Sequence, residues 1–494
     1  MDGGKSMGKM GVRIVLLALV AGCSVHASIA QEGSLARVNY PEDLREDLLI
    51  IQQTIEQAHP DPFRYRTRTQ IDSLFSGIAS SFTIPLTADG FIAATVPVFK
   101  AIGDANTVLA PPVGVQTAYD HVVPLLPIQV AVIGNRLYLD AELKGFRSLP
   151  SGCELVQING VPAAQVLGQL RNSLVADGAD TTLIDRRVEQ DFPVFYRRFI
   201  GPSDRFKIAY RTADGTTGER EVIAMTKDEM RQTYVPKGYA LEPWRLEEMP
   251  GLNTAWLTLA TMDPKELELR KVHPERFLKG VLEALRKSRA TTLVVDVRGA
   301  DGPDLGMAEQ VFSLIALKPF RVVRSMSIRC GEVPDSFRYA EPAPDFFASV
   351  GATYLPGSNG RRELRPSDQR LLPVLPLAGA FQGKVYVIAN GSTTGAAAAF
   401  VMLANRSHRA RTVGEEVGSN AASFSGGRIL TVTLPKTGCI LRVPLIRYVP
   451  DGVPDGPSDQ GERPASAVGR LPQDVAQGRD TIREALLQLI GEMQ

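Results

Sequence analysis

The chain has 494 residues, of which 44% are hydrophobic and 22% charged, the balance of a globular protein with more than one domain. The formal net charge is only +1, so charge gives no reason to expect nucleic acid as a partner. The cysteines and histidines are few and widely spaced, which excludes a disulfide framework and predicts neither a metal site nor a cofactor.

Residues 1–30 have the layout of a secretory signal peptide. Basic residues precede the apolar run Ile14–Ala21, which is too short to span a bilayer as a helix. Val20–Cys23 resembles a bacterial lipobox, in which Cys23 would be lipidated, whereas Ser28–Ala30 fits ordinary signal peptidase. Both processing routes stay open, and both predict an exported protein. It would be either periplasmic or an outer-membrane lipoprotein, and a lipid anchor would be its only contact with a membrane.

Residues 40–115 predict a helical N-terminal domain. Tyr40–Leu44 places a proline and acidic residues in a first helical turn, and apolar residues then recur at a helical period as far as Ala58. A second helix is predicted through Phe91–Phe99, and it stops at the turn Gly103–Thr107.

Residues 120–228 change to short strands with glycine and proline turns, which predicts a β domain. A hairpin is predicted about Gly134–Asn135, and the segment Gly152–Pro162 leads into a helix at Ala163–Leu170. A polar insertion, roughly 172–204, interrupts this domain before its last strands.

Residues 250–470 alternate strand and helix, the pattern of βα crossovers in a parallel sheet. Buried strands are predicted at 292–297 and 384–389, and a Pro-rich excursion occupies 318–380. The second of these strands runs into an alanine-rich helix at 396–403, and a C-terminal helix is predicted within 471–494.

Three segments, in this order, resemble the tail-specific (C-terminal-processing) serine peptidases and their retinoid-binding-protein-like relatives. Leu293–Arg298 and the glycine-bearing loop after it are similar to the family's leucine/aspartate/arginine strand and double-glycine turn. Val385–Gly391 is similar to the segment that carries the nucleophile, and Arg411–Glu416 to the strand and Gly-Glu that follow it. The order of the segments, more than any one of them, carries the resemblance.

The resemblance implies an α/β fold with a crotonase-like or ClpP-like βα core over 250–470 and a helical leader. Gly152–Pro162 resembles the core of a PDZ domain, which implies a PDZ-like β domain over 120–228. Gln57–Pro60 and Leu434–Leu445 resemble a secreted bacterial branch of the family. A polypeptide is the partner that such a protein is expected to bind.

The departures from the family pattern bear on activity. The family's nucleophilic serine falls at Gly395, and the lysine base of one branch falls near Asn420. The histidine base of the other branch falls at Asn106. Glycine offers no atom for attack and asparagine takes up no proton near neutral pH. We therefore expect a pseudopeptidase that still binds extended peptides or C-terminal tails.

Binding groups need not disappear with the nucleophile. The backbone at Gly302, Gly395 and Ala396 is expected to form an anion-attracting cradle at a helix N-terminus. The region of Gly152 is expected to accept a strand or a free C-terminus. The other interpretation of these glycines is that they only let backbones approach each other.

The alternative is an active serine-type peptidase with a relocated nucleophile. The fallback hydroxyls lie within one turn of the vacant position, at Ser392, Thr393 and Thr394, although helix capping also explains the two threonines. Further hydroxyls follow in what reads as a flexible Gly/Ser loop, at Ser419, Ser423 and Ser425. The third member of the ancestral site stays open among Glu415, Glu416, Asp451 and Asp455.

Overall fold

The computed structural model describes residues 34–143, 148–233, 242–332, 344–453 and 458–492. The predicted signal peptide with Cys23, and also Asp455, lie outside these described residues. No helix within the described ranges is long and apolar enough to cross a membrane.

The N-terminal region is mostly helical. Its elements are β1 (Val38–Asn39), α1 (Pro41–Ala58), α2 (Arg68–Ser81), β2 (Leu86–Thr87), α3 (Ala88–Ile102), β3 (Val108–Ala110) and α4 (Val113–His121). Helix α2 was not predicted, although Thr67 and Gln70 form a capping box at its start. Helix α3 ends at Gly103 in the left-handed conformation, with φ of +65°. This places the turn at Asp104–Thr107 directly after a rigid helix.

The middle region is an antiparallel sheet with helices packed on it. Its elements are β4 (Ile128–Ile133), β5 (Arg136–Glu142), β6 (Glu154–Ile158), β7 (Val161–Pro162), α5 (Ala163–Ser173), α6 (Thr181–Phe199), β8 (Arg205–Arg211), β9 (Thr217–Ile223) and α7 (Lys227–Thr233). The strand order is β4-β5-β6-β8-β9, and β7 pairs with β6. The polar insertion is largely helix α6, which Asp180 caps and which buries Leu183, Val188 and Phe192 at helical spacing.

The third region contains two sheets. Its elements are β10 (Trp244–Met249), β11 (Thr254–Leu259), α8 (Pro264–Leu269), α9 (Pro274–Ser288), β12 (Thr292–Asp296), α10 (Leu305–Ser313), β13 (Val323–Ile328), α11 (Pro344–Thr353), β14 (Tyr354–Pro356), β15 (Arg362–Leu364), β16 (Lys384–Ala389), α12 (Gly395–Arg406), β17 (Arg411–Gly414), β18 (Phe424–Thr433), β19 (Ile440–Pro450), β20 (Ser466–Ala467), α13 (Pro472–Gln477) and α14 (Thr481–Glu492). Single 3₁₀ turns occur at Pro250–Leu252 and Gln369–Leu371.

The first sheet has the order β10-β11-β12-β16-β17-β20, and all neighbours from β11 onward are parallel. Helices α9, α10 and α12 contribute to the main apolar core on one face, whereas Ile482, Leu486 and Ile490 of α14 pack against Trp256 and Val294 on the other. Because both faces are covered, the central strands β12 and β16 are largely apolar, as the sequence pattern predicts.

The second sheet has the order β14-β15-β13-β19-β18, and β3 of the N-terminal region also pairs with β19. The expectation of a flexible Gly/Ser loop over 419–425 is wrong at its end, because Ser425 lies in β18 opposite Arg447 of β19. Ser419, Ser423 and Ser425 are all buried. The pairing of β18 with β19 supplies backbone hydrogen bonds that a local sequence pattern rich in small residues does not reveal.

Candidate functional site

Strand β16 turns into helix α12 through residues 390–395, which we call the elbow. At its end Gly395 has φ of +55°, a conformation that side-chain-bearing residues rarely adopt. A Cβ atom on Gly395 would lie 2.4 Å from the carbonyl oxygen of Gly302 and 2.7 Å from Oδ1 of Asp301. The loop after β12 therefore fills the space that a serine side chain would need at this position.

The backbone N–H groups of the elbow already have acceptors within the protein. Ala396 N donates to the Gly302 carbonyl at 2.8 Å, and Thr394 N donates to the Ala300 carbonyl at 3.0 Å. Gly395 N donates to Oγ of Ser419 at 3.0 Å. The anion-attracting cradle expected at Gly302, Gly395 and Ala396 is thus occupied by protein oxygens, and a peptide carbonyl would have to displace them.

The glycines expected to contact peptide lie against other parts of the chain. A Cβ atom on Gly302 would lie 2.5 Å from the carbonyl oxygen of Met262, and one on Gly152 would lie 2.2 Å from Cα of Ala476 in α13. Both glycines let two backbone segments approach closely, which is the alternative interpretation given above.

The fallback hydroxyls differ in their surroundings. Thr393 is fully buried, and its hydroxyl donates to the Val297 carbonyl at 2.9 Å and accepts from Asn390 N at 3.1 Å. Thr394 occupies the N-cap position of α12, but its side chain makes no capping hydrogen bond. Ser392 is half-buried within the elbow. The Thr393 hydroxyl therefore stabilises the turn, which makes it a poor nucleophile.

A buried His–Asp pair lies beside the turn that carries Asn106. His59 caps the C-terminus of α1, and its Nε2 lies 2.7 Å from Oδ2 of Asp104. Its Nδ1 accepts a hydrogen bond from Asp61 N at 3.0 Å, which leaves the ring proton on Nε2 to point at Asp104. Although burial opposes ionisation, the hydrogen bond from His59 holds the pKa of Asp104 below its usual value.

Asp177 joins the turns that carry Asn106 and Asn420, the two positions predicted to correspond to the family's bases. Its carboxylate accepts from Ala105 N at 2.7 Å and from Asn420 N at 3.1 Å. Burial, together with the charge of Asp104, raises the pKa of Asp177 to about 7. The Asn106 side chain donates to the Ser425 carbonyl at 2.8 Å. Asn420 is also the neighbour of Ser419, which bonds Gly395, so Asn106, Gly395 and Asn420 belong to one hydrogen-bonded assembly.

A small cavity adjoins this assembly, with a volume of about 10 Å³, roughly the space of one water molecule. Its lining includes His59, Arg64, Asp104, Asp177, Ser423 and Arg447. Arg64 bonds the side chain of Asn420 at 2.7 Å and the Ser458 carbonyl at 3.1 Å. The sequence did not identify Asp177 or Arg64 as site residues. Asp177 precedes a glycine, which is typical of an ordinary turn, and Arg64 belongs to no recognisable motif.

The comparisons with known proteins concern this same region. Residues 253–461 match the family model described as Peptidase family S41. We refer to these residues as the S41 domain. It contains the elbow, Asn420 and Ser425, and it supports the predicted relationship to the tail-specific peptidases.

No curated protein matches the sequence. Among solved structures, mature CPAF is similar with a TM-score of 0.63 at 13% identity, over 92% of this chain and 98% of that one. Mature CPAF complexed with lactacystin is similar with a TM-score of 0.64 at 13% identity, over 92% of this chain and 99% of that one. At these identities the likeness shows a shared fold, which extends beyond the S41 domain to most of the chain.

The carboxylates considered for a third catalytic member lie in different places. Glu415 of the S41 domain accepts from Gly391 N in the elbow at 3.3 Å, and Glu416 accepts from Gly461 N at 2.7 Å. Asp451 pairs with Arg321 at 3.2 Å, away from the elbow contacts described above. Of these described carboxylates, Glu415 is the one in direct contact with the elbow.

Proposed function

We propose that this protein is a pseudopeptidase with an S41 peptidase domain, which binds extended peptides or C-terminal tails without cleaving them. The observation that carries the proposal is the elbow, where Gly395 provides no attacking atom and Gly302 fills the space beside it. Acyl transfer needs a nucleophile and a proton acceptor together. Asn106 offers an amide that donates to a backbone carbonyl, so it supplies no acceptor of a hydroxyl proton.

The backbone donors support the same conclusion. An oxyanion hole requires N–H groups aimed at the position where negative charge develops. Here Ala396 N and Gly395 N point at the Gly302 carbonyl and the Ser419 hydroxyl. In this proposal the N–H groups of Gly395 and Ala396 therefore do not form a preformed oxyanion hole.

Peptide binding draws its support from the remainder of the fold. We assign residues 120–228 as a PDZ-like domain and 250–470 as a crotonase-like core, preceded by the helical leader over 40–115. A PDZ-like domain binds a peptide by adding it as a strand to a sheet edge. In the middle sheet the candidate edge is β4, which pairs with β5 on one side only.

Export completes the proposal, because the predicted signal peptide would deliver the protein to the cell envelope, where unfolded or processed polypeptide tails occur. The mass of the mature protein, recovered from membrane and periplasmic fractions, distinguishes the two processing routes. Lipidated Cys23 at the N-terminus supports the lipoprotein, and a start after Ala30 supports a periplasmic protein.

Isothermal titration with an unstructured peptide, compared with its C-terminally amidated form, tests binding. We expect heat of binding with the free peptide and no cleavage product by mass spectrometry after long incubation. No heat at high peptide concentration removes the peptide-binding function, and turnover of the peptide removes the pseudopeptidase.

One observation favours a second candidate, an active peptidase with a relocated nucleophile. The Ser419 hydroxyl lies 3.0 Å from Gly395 N at the elbow, although the two residues are 24 positions apart in the sequence. A fluorophosphonate probe followed by intact mass tests it, with Ser419→Ala as the variant and Ser392→Ala as the matched control. We expect no adduct in any of the three proteins. A stoichiometric adduct that only Ser419→Ala abolishes establishes the second candidate.

A further inference from the structure

Helix α6 lies along the candidate peptide-binding edge of the middle sheet. Val188 and Phe192 of α6 share one apolar cluster with Ile128 and Val130 of β4. On its other side α6 is tied to α5, where Arg171 pairs with Asp185 at 2.7 Å. The helix therefore fills the groove between the edge strand and α5.

Two side chains of α6 satisfy the outward backbone groups of this edge. Glu189 accepts from Val132 N at 2.6 Å, and Arg186 donates to the Val132 carbonyl at 3.2 Å. The two side chains also pair with each other at 2.5 Å, and we call them the Arg186–Glu189 clamp. An added antiparallel strand bonds both the N–H and the C=O of one residue of the edge strand. The clamp takes the place of such a residue at Val132.

The clamp is anchored to other parts of the chain. Arg470 lies 3.3 Å from Glu189 and 3.3 Å from Asp140 of β5. Arg186 lies 3.6 Å from Glu415 of the S41 domain. Both clamp side chains are nearly buried, at 10% and 11% exposure, so water does not readily compete for these contacts.

The first turn of α6 is fixed in the same way. The Thr182 hydroxyl donates to the Glu416 carbonyl at 3.0 Å. A Cβ atom on Gly391 would lie 2.4 Å from the carbonyl of Thr182, so the helix start packs directly on the elbow. The S41 domain thus holds α6 in place over the edge strand.

We propose that helix α6 is a built-in competitor for peptide, held over the edge of β4 by the Arg186–Glu189 clamp. The inference rests on the proposed peptide-binding function and adds its regulation. A peptide that pairs with β4 must first displace the clamp from Val132. The measured association constant is then the intrinsic association constant multiplied by the fraction of molecules in which the edge is open.

The double variant Arg186→Ala/Glu189→Ala tests this, and it removes both charges of the pair together. The matched control is Arg205→Ala/Glu221→Ala, which deletes another Arg–Glu pair, also at 2.5 Å, that joins β8 to β9 at the opposite edge of the same sheet. Hydrogen exchange of peptides covering β4 and α6 is measured without ligand. Binding of a fluorescein-labelled unstructured peptide with a free C-terminus is measured by anisotropy.

We expect the clamp variant to exchange faster at β4 and α6 and to bind the labelled peptide about tenfold or more tightly than the natural chain. The control variant is expected to match the natural chain in both measurements. Glu189→Gln keeps an acceptor for Val132 N but removes the negative charge, so a smaller gain in peptide affinity is expected. This variant provides the test if the double variant does not fold.

The outcomes separate this inference from the function on which it rests. Equal peptide affinity for the natural chain, the clamp variant and Glu189→Gln overturns the inference and leaves peptide binding intact. Unchanged exchange at β4 and α6 in the clamp variants also overturns it. No binding by any of these proteins overturns the proposed function together with the competition.

Discussion

Placing a methyl group on Gly395 tests whether the elbow has lost the space for a nucleophile. The left-handed conformation costs an L-residue roughly 1–2 kcal/mol. The new Cβ would stand 2.4 Å from the Gly302 carbonyl oxygen, so the loop has to move and the hydrogen bond from Ala396 N is lost. That bond contributes about 1 kcal/mol, which brings the expected destabilisation by Gly395→Ala to about 2–3 kcal/mol.

Gly299→Ala is the matched control within the S41 domain. Gly299 has φ of +72°, and a Cβ atom there would meet no atom within 4 Å. This variant therefore bears the conformational cost alone, at roughly 1–2 kcal/mol. Thermal unfolding followed by circular dichroism should show Gly395→Ala melting roughly 2–4 °C below Gly299→Ala, given about 1 kcal/mol of difference in a domain of this size.

Equal melting temperatures for the two variants would refute the reasoning. That result would mean that the Gly302 loop yields without loss, and that the elbow has room for a side chain. The position predicted to have lost the nucleophile would then still accommodate a serine side chain.

Three further predictions concern the same assembly. The double variant Asn106→His/Gly395→Ser is expected to give no peptide cleavage by mass spectrometry, because Gly302 and Asp301 occupy the space of the new hydroxyl; turnover would contradict this. Thr393→Val is expected to lower the unfolding free energy by roughly 1–3 kcal/mol in urea titrations, because Asn390 N loses its buried acceptor, whereas Ser392→Ala should change it by less than about 0.5 kcal/mol. Burial raises the pKa of Asp177 to about 7, so the folded state holds an extra proton between pH of about 4 and 7. Stability should therefore fall as the pH rises through this window, and Asp177→Ala should flatten the curve of melting temperature against pH; an unchanged curve would show that Asp177 is ionised throughout.

Local patterns in the chain predicted much of the third region. The apolar strands at Thr292–Asp296 and Lys384–Ala389, each followed by a helix, form the parallel sheet because a helix must cross over between parallel neighbours. The hairpin about Gly134–Asn135 was predicted for a similar reason, since its turn and its paired strands lie within a few residues. Helix α2 was not predicted, although Thr67 and Gln70 have the spacing of a capping box at its start.

The sequence predicts that Gly395 and Asn106 stand at the positions of the family's nucleophile and base, and this assignment stays a prediction. What only the tertiary structure decided is what surrounds these two residues. The bond from Asn106 to Ser425 joins residues 319 positions apart, and the bond from Asn420 to Asp177 spans 243 positions. The close approach of Gly302 to the elbow and the contact of the Arg186–Glu189 clamp with β4 likewise join segments that are distant in the sequence. Such contacts form when separately predicted elements pack together, and no local period or spacing records which surfaces will meet.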